Sequence, residues 1–327
     1  MITKFNDKVS TLRKILIVGE LLIDLISTNY VKELSEAKNF ERRFGGSPGN
    51  IALNLADMGL HPTILSRVGR DPFGKSILEN LRTRGVNVEN IQLDSVNPTS
   101  FVLISKSRET PQFFPLRGAD KYLQIPENID DLVKNCSILH FSSWSISQEP
   151  ARATTLKLID MAKRAGAKIC FDPNYRRVLW ENKQDGTPFV KDILKDVFLL
   201  KPSRDDAFNI CGEMKDEDYV RTFHNLGVKN VVMTLGKDGV VVSDGKKMKH
   251  FPSLAKHVVD TTGAGDAFWA GMYYSISRER NIFEAAKVGN AVSAFRLENI
   301  GTNSPLPEMD KLLSRYNIEE LNEEESI

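Results

Sequence analysis

The feature that most constrains this chain is the alternation of short apolar runs with segments of helical spacing. The runs are rich in β-branched residues, as in parallel strands that are buried on both faces; they are residues 15–18, 63–65, 138–141, 168–171, 197–200 and 231–233. The segments of helical spacing include residues 51–58, 76–81, 155–164 and 220–226. Strands that alternate with helices predict an α/β fold, with a mostly parallel central sheet and helices on both faces. Ligands bind such sheets at the carboxyl ends of the strands, so residues that follow the apolar runs are the first candidates for a site.

Two stretches do not follow this alternation. Residues 25–44 are polar and irregular, whereas residues 101–105 and 112–114 indicate a hairpin across residues 107–110. We expect a small β-strand lid over the strand ends, formed by residues 25–44 and 99–117. The alternative is a surface hairpin without a part in function. The other segments, residues 1–24, 45–98 and 118–318, are assigned to the α/β domain, and the acidic residues 319–327 to a tail.

Charge, cysteine spacing and hydropathy limit the kinds of partner and the cellular location that we expect. The 327 residues include 44 Lys and Arg against 43 Asp and Glu, so no strong field attracts nucleic acid or an anionic membrane. The three cysteines are far apart and form no CxxC pair, which favours reduced, buried thiols. Residues 1–12 lack the apolar core of a signal peptide, and no stretch approaches the roughly 20 apolar residues of a spanning helix. We therefore expect a cytoplasmic protein with a small-molecule substrate, without nucleic acid or membrane as a partner.

The strongest chemical signal is the glycine turn, residues 260–266, with the sequence Asp-Thr-Thr-Gly-Ala-Gly-Asp. Gly263 and Gly265 permit a tight turn at a helix N-terminus, where free N–H groups and the helix dipole suit a phosphate. Asp266 would repel that phosphate unless it accepts the proton of an attacking hydroxyl, which is what phosphoryl transfer needs. The alternative is that Asp266 only caps the helix that follows. The residues alone leave both open.

Residues 260–268 resemble, without a departure, the second signature of the ribokinase-like (PfkB) carbohydrate kinases. Residues 45–50, Gly-Gly-Ser-Pro-Gly-Asn, resemble the first signature, and the likeness extends from residue 15 to about residue 305. The resemblance is strongest to fructokinases. It implies an ATP- and Mg²⁺-dependent sugar kinase with Asp266 as the catalytic base. The anion hole would be formed by the amides of Gly263, Ala264 and Gly265.

The same resemblance implies which residues hold the two substrates. Those that contact the sugar are Asp24, Gly45, Gly46 and Asn50. A carboxylate and an amide suit a polyol because they can pair with vicinal hydroxyls that an apolar wall would leave unpaired. Those beside the nucleotide are Lys201, Ser203, Thr234, Gly236, Gly239 and Asn290.

Metal ions are implied in two places. The usual Asn-x-x-Glu motif of the family appears here as Ser203 and Asp206, so we expect Asp206 to support Mg²⁺ through water, with a shorter reach. Some members have a loop for a monovalent cation such as K⁺, and this chain resembles it at Asp260, Thr262, Gly301 and Ser304.

A second glycine segment competes for the nucleotide. The Walker-like turn, residues 69–76, satisfies the pattern G-x-x-x-x-G-K-S in full. However, Pro72 has no N–H group to offer a phosphate, and Asp71 adds repulsion. We expect a structural turn and helix start here, so replacing Lys75 should leave phosphorylation nearly intact.

The sugar is indicated by residues 171–176, which resemble the version found in fructokinases and 2-keto-3-deoxygluconate kinases. Asn174 and Arg176 follow a predicted strand, where the guanidinium of Arg176 can reach a sugar oxygen or the transferring phosphate. The alternative for Arg176 is a structural pairing with a neighbouring aspartate. Arg117, in the predicted lid, also resembles the fructokinase-like subgroup.

Fructose, converted to fructose 6-phosphate, is therefore the predicted substrate. The alternatives are 2-keto-3-deoxygluconate kinase or another sugar or nucleoside kinase of this family, since small pocket changes separate them. A silent sugar-binding regulator is the alternative outside enzymes. Exposed lid strands also present edges that a partner lid can cover, which allows a homodimer through the lid.

Overall fold

The computed structural model describes residues 14–107, 111–299 and 304–318. Its strands, β1 to β13 in chain order, are Lys14–Val18, Leu22–Tyr30, Phe40–Gly45, Thr63–Gly69, Ile91–Asp94, Ser100–Lys106, Phe113–Leu116, Cys136–Ser142, Lys168–Asp172, Leu199–Leu200, Asn230–Thr234, Val240–Ser243 and Met248–Phe251. Its helices, α1 to α11, are Ser47–Asp57, Pro72–Thr83, Ile129–Lys134, Ser143–Ile146, Ala151–Arg164, Thr187–Ile193, Arg204–Cys211, Asp216–Asn225, Ala264–Ile276, Ile282–Leu297 and Met309–Arg315. The predicted tail, residues 319–327, lies outside the described residues.

The central sheet has nine strands in the order β13-β12-β11-β10-β9-β8-β1-β4-β5. All neighbours from β11 to β5 run parallel, and β12 and β13 add two antiparallel pairings at one edge. Each predicted apolar run contributes residues to one of these strands, although β10 contains only Leu199 and Leu200. The predicted α/β fold with a mostly parallel central sheet is confirmed.

Strand β1 shows why its sequence is apolar at every position. Ile15 and Ile17 pack into the core cluster that α1, α9 and α10 complete, whereas Leu16 and Val18 pack into the cluster that α5 and α8 complete. All four side chains are buried. Because helices cover both faces of the sheet, the side chains on either face of this strand are shielded from solvent.

A smaller sheet has the order β3-β2-β6-β7. Strand β6 pairs antiparallel with β7, which confirms the predicted hairpin; part of its turn, residues 108–110, lies outside the described residues. The prediction that residues 25–44 are irregular was wrong. Leu22–Tyr30 and Phe40–Gly45 are strands, and β2 pairs with both β3 and β6.

The error has a physical reason. Strand β2 is buried over its first residues and exposed at its end, so it lacks the continuous apolar run of the central strands. Pairing with β6 holds it instead, and this pairing joins residues about 80 positions apart.

The boundaries of a separate lid domain and a homodimer through its edges stay predictions. The outer strand β7 does expose Phe114 and Leu116.

Within the described residues, no helix is both long and apolar enough to cross a membrane. The cytoplasmic location stays a prediction.

Candidate active site

The two glycine-rich signatures, more than 200 residues apart in the chain, meet at Asp266. Helix α9 begins after Gly263, which has a left-handed φ of 72°, and Asp266 lies in its first turn. One carboxylate oxygen of Asp266 accepts a hydrogen bond from Ser47 Oγ at 2.6 Å, and the other accepts one from Asn50 Nδ2 at 2.8 Å. Both donors lie in the first turn of α1. The carboxylate is therefore directed toward α1, and capping of its own helix is not its role.

The electrostatic environment of Asp266 suits a proton acceptor. Burial raises its pKa from 3.8 to about 6, while the hydrogen bonds from Ser47 and Asn50 oppose that rise. The charge of Asp172 raises this pKa further, and the ammonium of Lys201 lowers it. A carboxylate with a pKa just below neutral is mostly ionised at pH 7 and binds a proton more readily than an ordinary aspartate.

Asp24 lies beside this carboxylate. It belongs to β2 of the small sheet. Burial and the charge of Asp266 raise the pKa of Asp24 to about 7, whereas Arg43, its partner residue on β3, lowers it. Two neighbouring carboxylates cannot both ionise freely, so their titrations are linked.

The glycine pair is needed for this arrangement. A Cβ at Gly45 would lie 2.3 Å from the Asp24 carboxylate, so only glycine lets β3 pass so close to that acid. Gly46 has a φ of 98°, and a Cβ there would lie 2.4 Å from the carbonyl oxygen of Glu20. The pair therefore positions the start of α1 against the end of β1.

Sequence reasoning missed two residues in this cluster, Ser47 and Glu20. Ser47 donates to Asp266, and its backbone N–H donates to Glu20 Oε1 at 3.2 Å. Glu20 is 3% exposed, and burial raises its pKa to about 8. Its position two residues after β1, at a strand end, was the signal that pointed to it.

A buried cation flanks the glycine turn. Lys201 follows β10, and its Nζ lies 3.2 Å from Asp172 Oδ2 and 5.5 Å from the ring centre of Trp269. The indole N–H of Trp269 donates to the same Asp172 oxygen at 2.7 Å. A Cβ built on Gly265 would lie 3.7 Å from Lys201 Nζ. The ammonium and the N-terminus of α9 thus provide positive charge on the same side.

The residues predicted to support Mg²⁺ form a capping box at α7. Asp206 is buried; one of its oxygens accepts from Ser203 N at 2.9 Å and Ser203 Oγ at 2.7 Å, and the other accepts from Tyr175 N at 2.7 Å. Neither oxygen is left without a protein donor. In the part of the chain that the structure describes, no group of three or more His, Cys, Asp or Glu is placed to hold a metal ion.

The loop predicted for a monovalent cation is held by an ion pair. One oxygen of Asp260 accepts from Thr262 N at 2.9 Å, and the other accepts from Arg43 Nη1 at 3.1 Å. This contact links the small sheet to the glycine turn. Ser304 accepts from Arg296 through its carbonyl oxygen, and Gly301 lies outside the described residues.

The residues predicted to flank the nucleotide lie at the carboxyl end of β11 and on α10. Thr234 N donates to the Pro202 carbonyl at 2.9 Å, and Asn290 Nδ2 donates to the Pro252 carbonyl at 2.8 Å. Gly236 and Gly239 have φ values of 60° and 92°; Gly236 is the first residue of a short 3-10 turn, and Gly239 follows its last residue. They lie at the same edge of the sheet as Lys201, which ends up beside the glycine turn.

Comparison with known proteins decides the family. The sequence profile of the pfkB family carbohydrate kinases matches residues 12–309. The chain belongs to this family. It is an ATP-dependent sugar kinase.

Among curated proteins, the kinase is 39% identical to the ATP-dependent 6-phosphofructokinase of Thermoanaerobacterium thermosaccharolyticum over 320 residues, which cover 97% of this chain and 99% of that one. It is 30% identical to probable fructokinase-5 of Arabidopsis thaliana over 300 residues, or 88% and 93% of the two chains. Among solved structures, it is similar to Halothermothrix orenii fructokinase, with a TM-score of 0.76, 38% identity and coverage of 84% and 96%. It is also similar to the fructokinase of Vibrio cholerae O395 bound to fructose, ADP and calcium, with a TM-score of 0.80, 25% identity and coverage of 93% and 99%.

Two arginines predicted to contact the sugar have different environments in the kinase. Arg117 has a side chain that is only 5% exposed, donates to Asp120 and Ser147, and lies 5.0 Å from the ring centre of Trp144. Its donors are already used where β7 joins the main body. Arg176 is exposed, and its guanidinium lies 4.7 Å from the ring centre of Phe113 on β7.

Arg176 forms no ion pair with an aspartate among the residues that the structure describes; its guanidinium contacts Phe113, and Asp172 binds Lys201. Asn174 is exposed, with a left-handed φ of 35°. Both residues follow β9 at the sheet edge that carries the active site, so they remain available to a substrate.

The Walker-like turn of the kinase binds its own side chain. Asp71 caps α2 by accepting from Phe73 N at 3.0 Å and Gly74 N at 2.9 Å. Lys75 is 78% exposed and points along the helix surface toward Glu79. Two N–H groups at this helix start are therefore occupied by the protein itself, and the turn opens α2, in line with the structural turn and helix start expected from the sequence.

Proposed function

We propose that this kinase transfers the γ-phosphate of ATP to the terminal hydroxyl of fructose, with Asp266 as the general base. The observation that carries the proposal is the meeting of the two signatures: the carboxylate of Asp266 is held by Ser47 and Asn50 at the end of the glycine turn. Fructokinases among the relatives and structural neighbours support fructose as the acceptor.

Each group has a chemical task in this proposal. Asp266 accepts the proton of the attacking hydroxyl, while the amides of Gly263, Ala264 and Gly265 and the ammonium of Lys201 stabilise the charge on the transferring phosphoryl group. Asp24 and Asn50 position the sugar through its hydroxyls. The small sheet, tied to the glycine turn through Arg43 and Asp260, limits water at the reacting atoms.

Magnesium fits the site through water. Three protein donors already bind the two oxygens of Asp206, so this residue is poorly placed for direct ligation, and its remaining lone pair could accept a hydrogen bond from a metal-bound water. Bound with ATP, Mg²⁺ would neutralise phosphate charge as the phosphoryl group transfers.

A second acceptor, fructose 6-phosphate, is favoured by a separate observation. The 39% identical relative bears the name ATP-dependent 6-phosphofructokinase. A sugar phosphate needs a cation near the sugar, and Arg176 forms no ion pair with a described residue. Arg176 also lines, together with Arg177, a cavity of about 460 Å³ beside the small sheet.

A coupled ADP-release assay separates these candidates. We expect a higher kcat/KM with fructose than with fructose 6-phosphate or 2-keto-3-deoxygluconate. If fructose 6-phosphate is preferred, Arg176→Ala should raise its KM at least about tenfold while it changes the KM for fructose much less. Absence of turnover with every sugar, while ATP still binds, would support a silent sugar-binding regulator instead.

A further inference from the structure

A cavity of about 600 Å³ lies at the edge of the central sheet opposite the active site. Its wall includes Lys168 and Asn230, the first residues of β9 and β11, and Phe198, which precedes β10. The active-site residues Asp172 and Lys201 instead end β9 and follow β10. Volumes of this size are typical of small-molecule sites.

The cavity is well separated from the glycine turn. Helix α9 connects the two regions: Ala264 begins it beside the active site, and Ile276, its last residue, lines the cavity. At a rise of 1.5 Å per residue, its thirteen residues place the two ends about 18 Å apart. A ligand in the cavity therefore occupies a site of its own.

Positive charge dominates the cavity wall. Five cationic side chains line it: Lys168, Lys247, Lys249, Arg280 and Lys287. None of the five is ion-paired to any of the residues that the structure describes. Like charges on one wall repel one another, and a bound anion would lower that cost.

The two acidic residues of the wall offset only part of this charge, and backbone hydrogen bonds together with the charge of Lys247 lower the pKa of Asp244. Asp244 accepts hydrogen bonds from the backbone N–H groups of Lys246 at 2.9 Å and Lys247 at 2.7 Å, in a turn after β12. Glu284 accepts from Asn281 N at 3.1 Å, in the capping box of α10. Each carboxylate keeps its charge, so five cations and two carboxylates leave the wall with an excess of three positive charges.

Three of the four lysines of the wall lie over aromatic rings. Lys168 Nζ lies 5.4 Å from the ring centre of Phe198, and Lys249 Nζ lies 5.3 Å from that of Phe283. Lys287 is placed in the same way over Phe251, at 6.0 Å. Cation–π contacts of this kind restrain ammonium groups that would otherwise move freely in solvent. The cavity wall therefore combines cationic and aromatic side chains.

The wall is shared with a second cavity, of about 340 Å³, that contains Asn290. Phe251, Arg280, Glu284 and Lys287 belong to both cavities. Asn290 is the residue predicted to flank the adenine, so the cationic cavity adjoins the nucleotide side of the kinase without including its predicted contacts.

We propose that the cavity opposite the active site binds a small phosphate-bearing anion, separate from the catalytic nucleotide. Several phosphate oxygens would satisfy several of the five cations at once, as compact polyphosphates do. The excess of cations without an ion pair favours such a ligand over a singly charged carboxylate.

Isothermal titration calorimetry on the full-length kinase tests this proposal. ADP is titrated first, to determine how many molecules bind per chain, and inorganic tripolyphosphate is then titrated into the ADP-saturated protein in magnesium-free buffer at fixed ionic strength. The variant Lys247→Glu/Lys249→Glu reverses two exposed charges that line only this cavity. The control Lys134→Glu/Lys157→Glu makes the same charge change on α3 and α5, which pack on the other face of the sheet.

We expect one tripolyphosphate to bind the ADP-saturated kinase, at least about tenfold more weakly in the cavity variant and within about twofold of wild type in the control. Binding of two ADP molecules per chain, with the second lost only in the cavity variant, would support the same site. Its phosphate-bearing ligand would then be a nucleotide. A single ADP with no tripolyphosphate binding overturns the proposal, as does equal weakening in both variants. The first ADP reports on the catalytic site, so failure of one site is distinguishable from failure of the other.

Discussion

Two turns of this kinase contain two glycines and an aspartate at the start of a helix, and they do opposite things with the aspartate. In the Walker-like turn, Asp71 precedes the helix and accepts hydrogen bonds from the N–H groups of Phe73 and Gly74. In the glycine turn, Asp266 lies inside the first turn and binds Ser47 and Asn50 of another helix. The first arrangement uses up the helix N-terminus, and the second leaves it available to a phosphate.

The glycines of the two turns also differ in whether they have free space beside them. A Cβ at Gly74 would lie 2.0 Å from the Gly69 carbonyl oxygen, so glycine is needed there for packing of the turn against itself. A Cβ at Gly265 would find Lys201 Nζ at 3.7 Å and no closer atom. A glycine pattern therefore indicates a phosphate site only when the space beside it is left open.

The largest effect is expected from Asp266→Asn. The amide keeps the size of the side chain but cannot accept the hydroxyl proton, so kcat should fall about a hundredfold or more while ATP still binds. Steady-state kinetics with a sugar that the wild type phosphorylates measures this, and circular dichroism checks the fold. A kcat within about tenfold of wild type would contradict the role of general base.

Alanine at the two compared glycines should separate activity from stability. Gly265→Ala fits the helix and should leave the melting temperature nearly unchanged, but the methyl group enters the space beside Lys201 and should lower kcat/KM for ATP about tenfold. Gly74→Ala meets backbone and should cost roughly 1–3 kcal/mol in the free energy of unfolding, with the rate per folded molecule nearly unchanged. Denaturant unfolding and steady-state kinetics on both variants measure these effects. Loss of stability in Gly265→Ala together with loss of activity in Gly74→Ala would contradict the difference between the two turns.

The variant Ser47→Ala tests the hydrogen bond that holds the base. This bond lowers the pKa of Asp266 against the effect of burial, so its loss should raise that pKa above about 6. Because the base must be ionised, activity falls as the pH drops through its pKa, and the acid limb of the kcat/KM profile should move to higher pH by up to about one unit. Ser314→Ala, at an exposed position of α11, serves as the control. An unmoved acid limb would show that Ser47 does not tune the base.

The smallest effect is expected from Lys75→Ala. Lys75 is largely exposed and lies 3.9 Å from Glu79, so its loss should change kcat and KM for ATP by less than about twofold and the free energy of unfolding by less than about 0.5 kcal/mol. Steady-state kinetics and thermal unfolding measure this. A loss of several orders of magnitude would restore the P-loop function that the occupied N–H groups argue against.

The sequence by itself predicted the parts of the molecule that follow from local patterns. The central sheet was predictable because strands covered on both faces must be apolar at every position, as in β1. The glycine turn was predictable because the left-handed backbone at Gly263, directly before a helix, strongly favours glycine at that position. The rejection of the Walker-like turn followed from Pro72 and Asp71, whose chemistry is local.

Only the tertiary structure decided what Asp266, Asp24 and Glu20 contact. Residues 25–44 looked irregular because strand β2 is held by pairing with β6, a contact that no local pattern reports. The pKa of Asp266 depends on burial, on Ser47 and Asn50 from α1, and on Lys201 from the end of β10. Whether an aspartate in a glycine turn caps its helix or acts as a base is thus set by groups distant in the chain, because solvation and charge act through space.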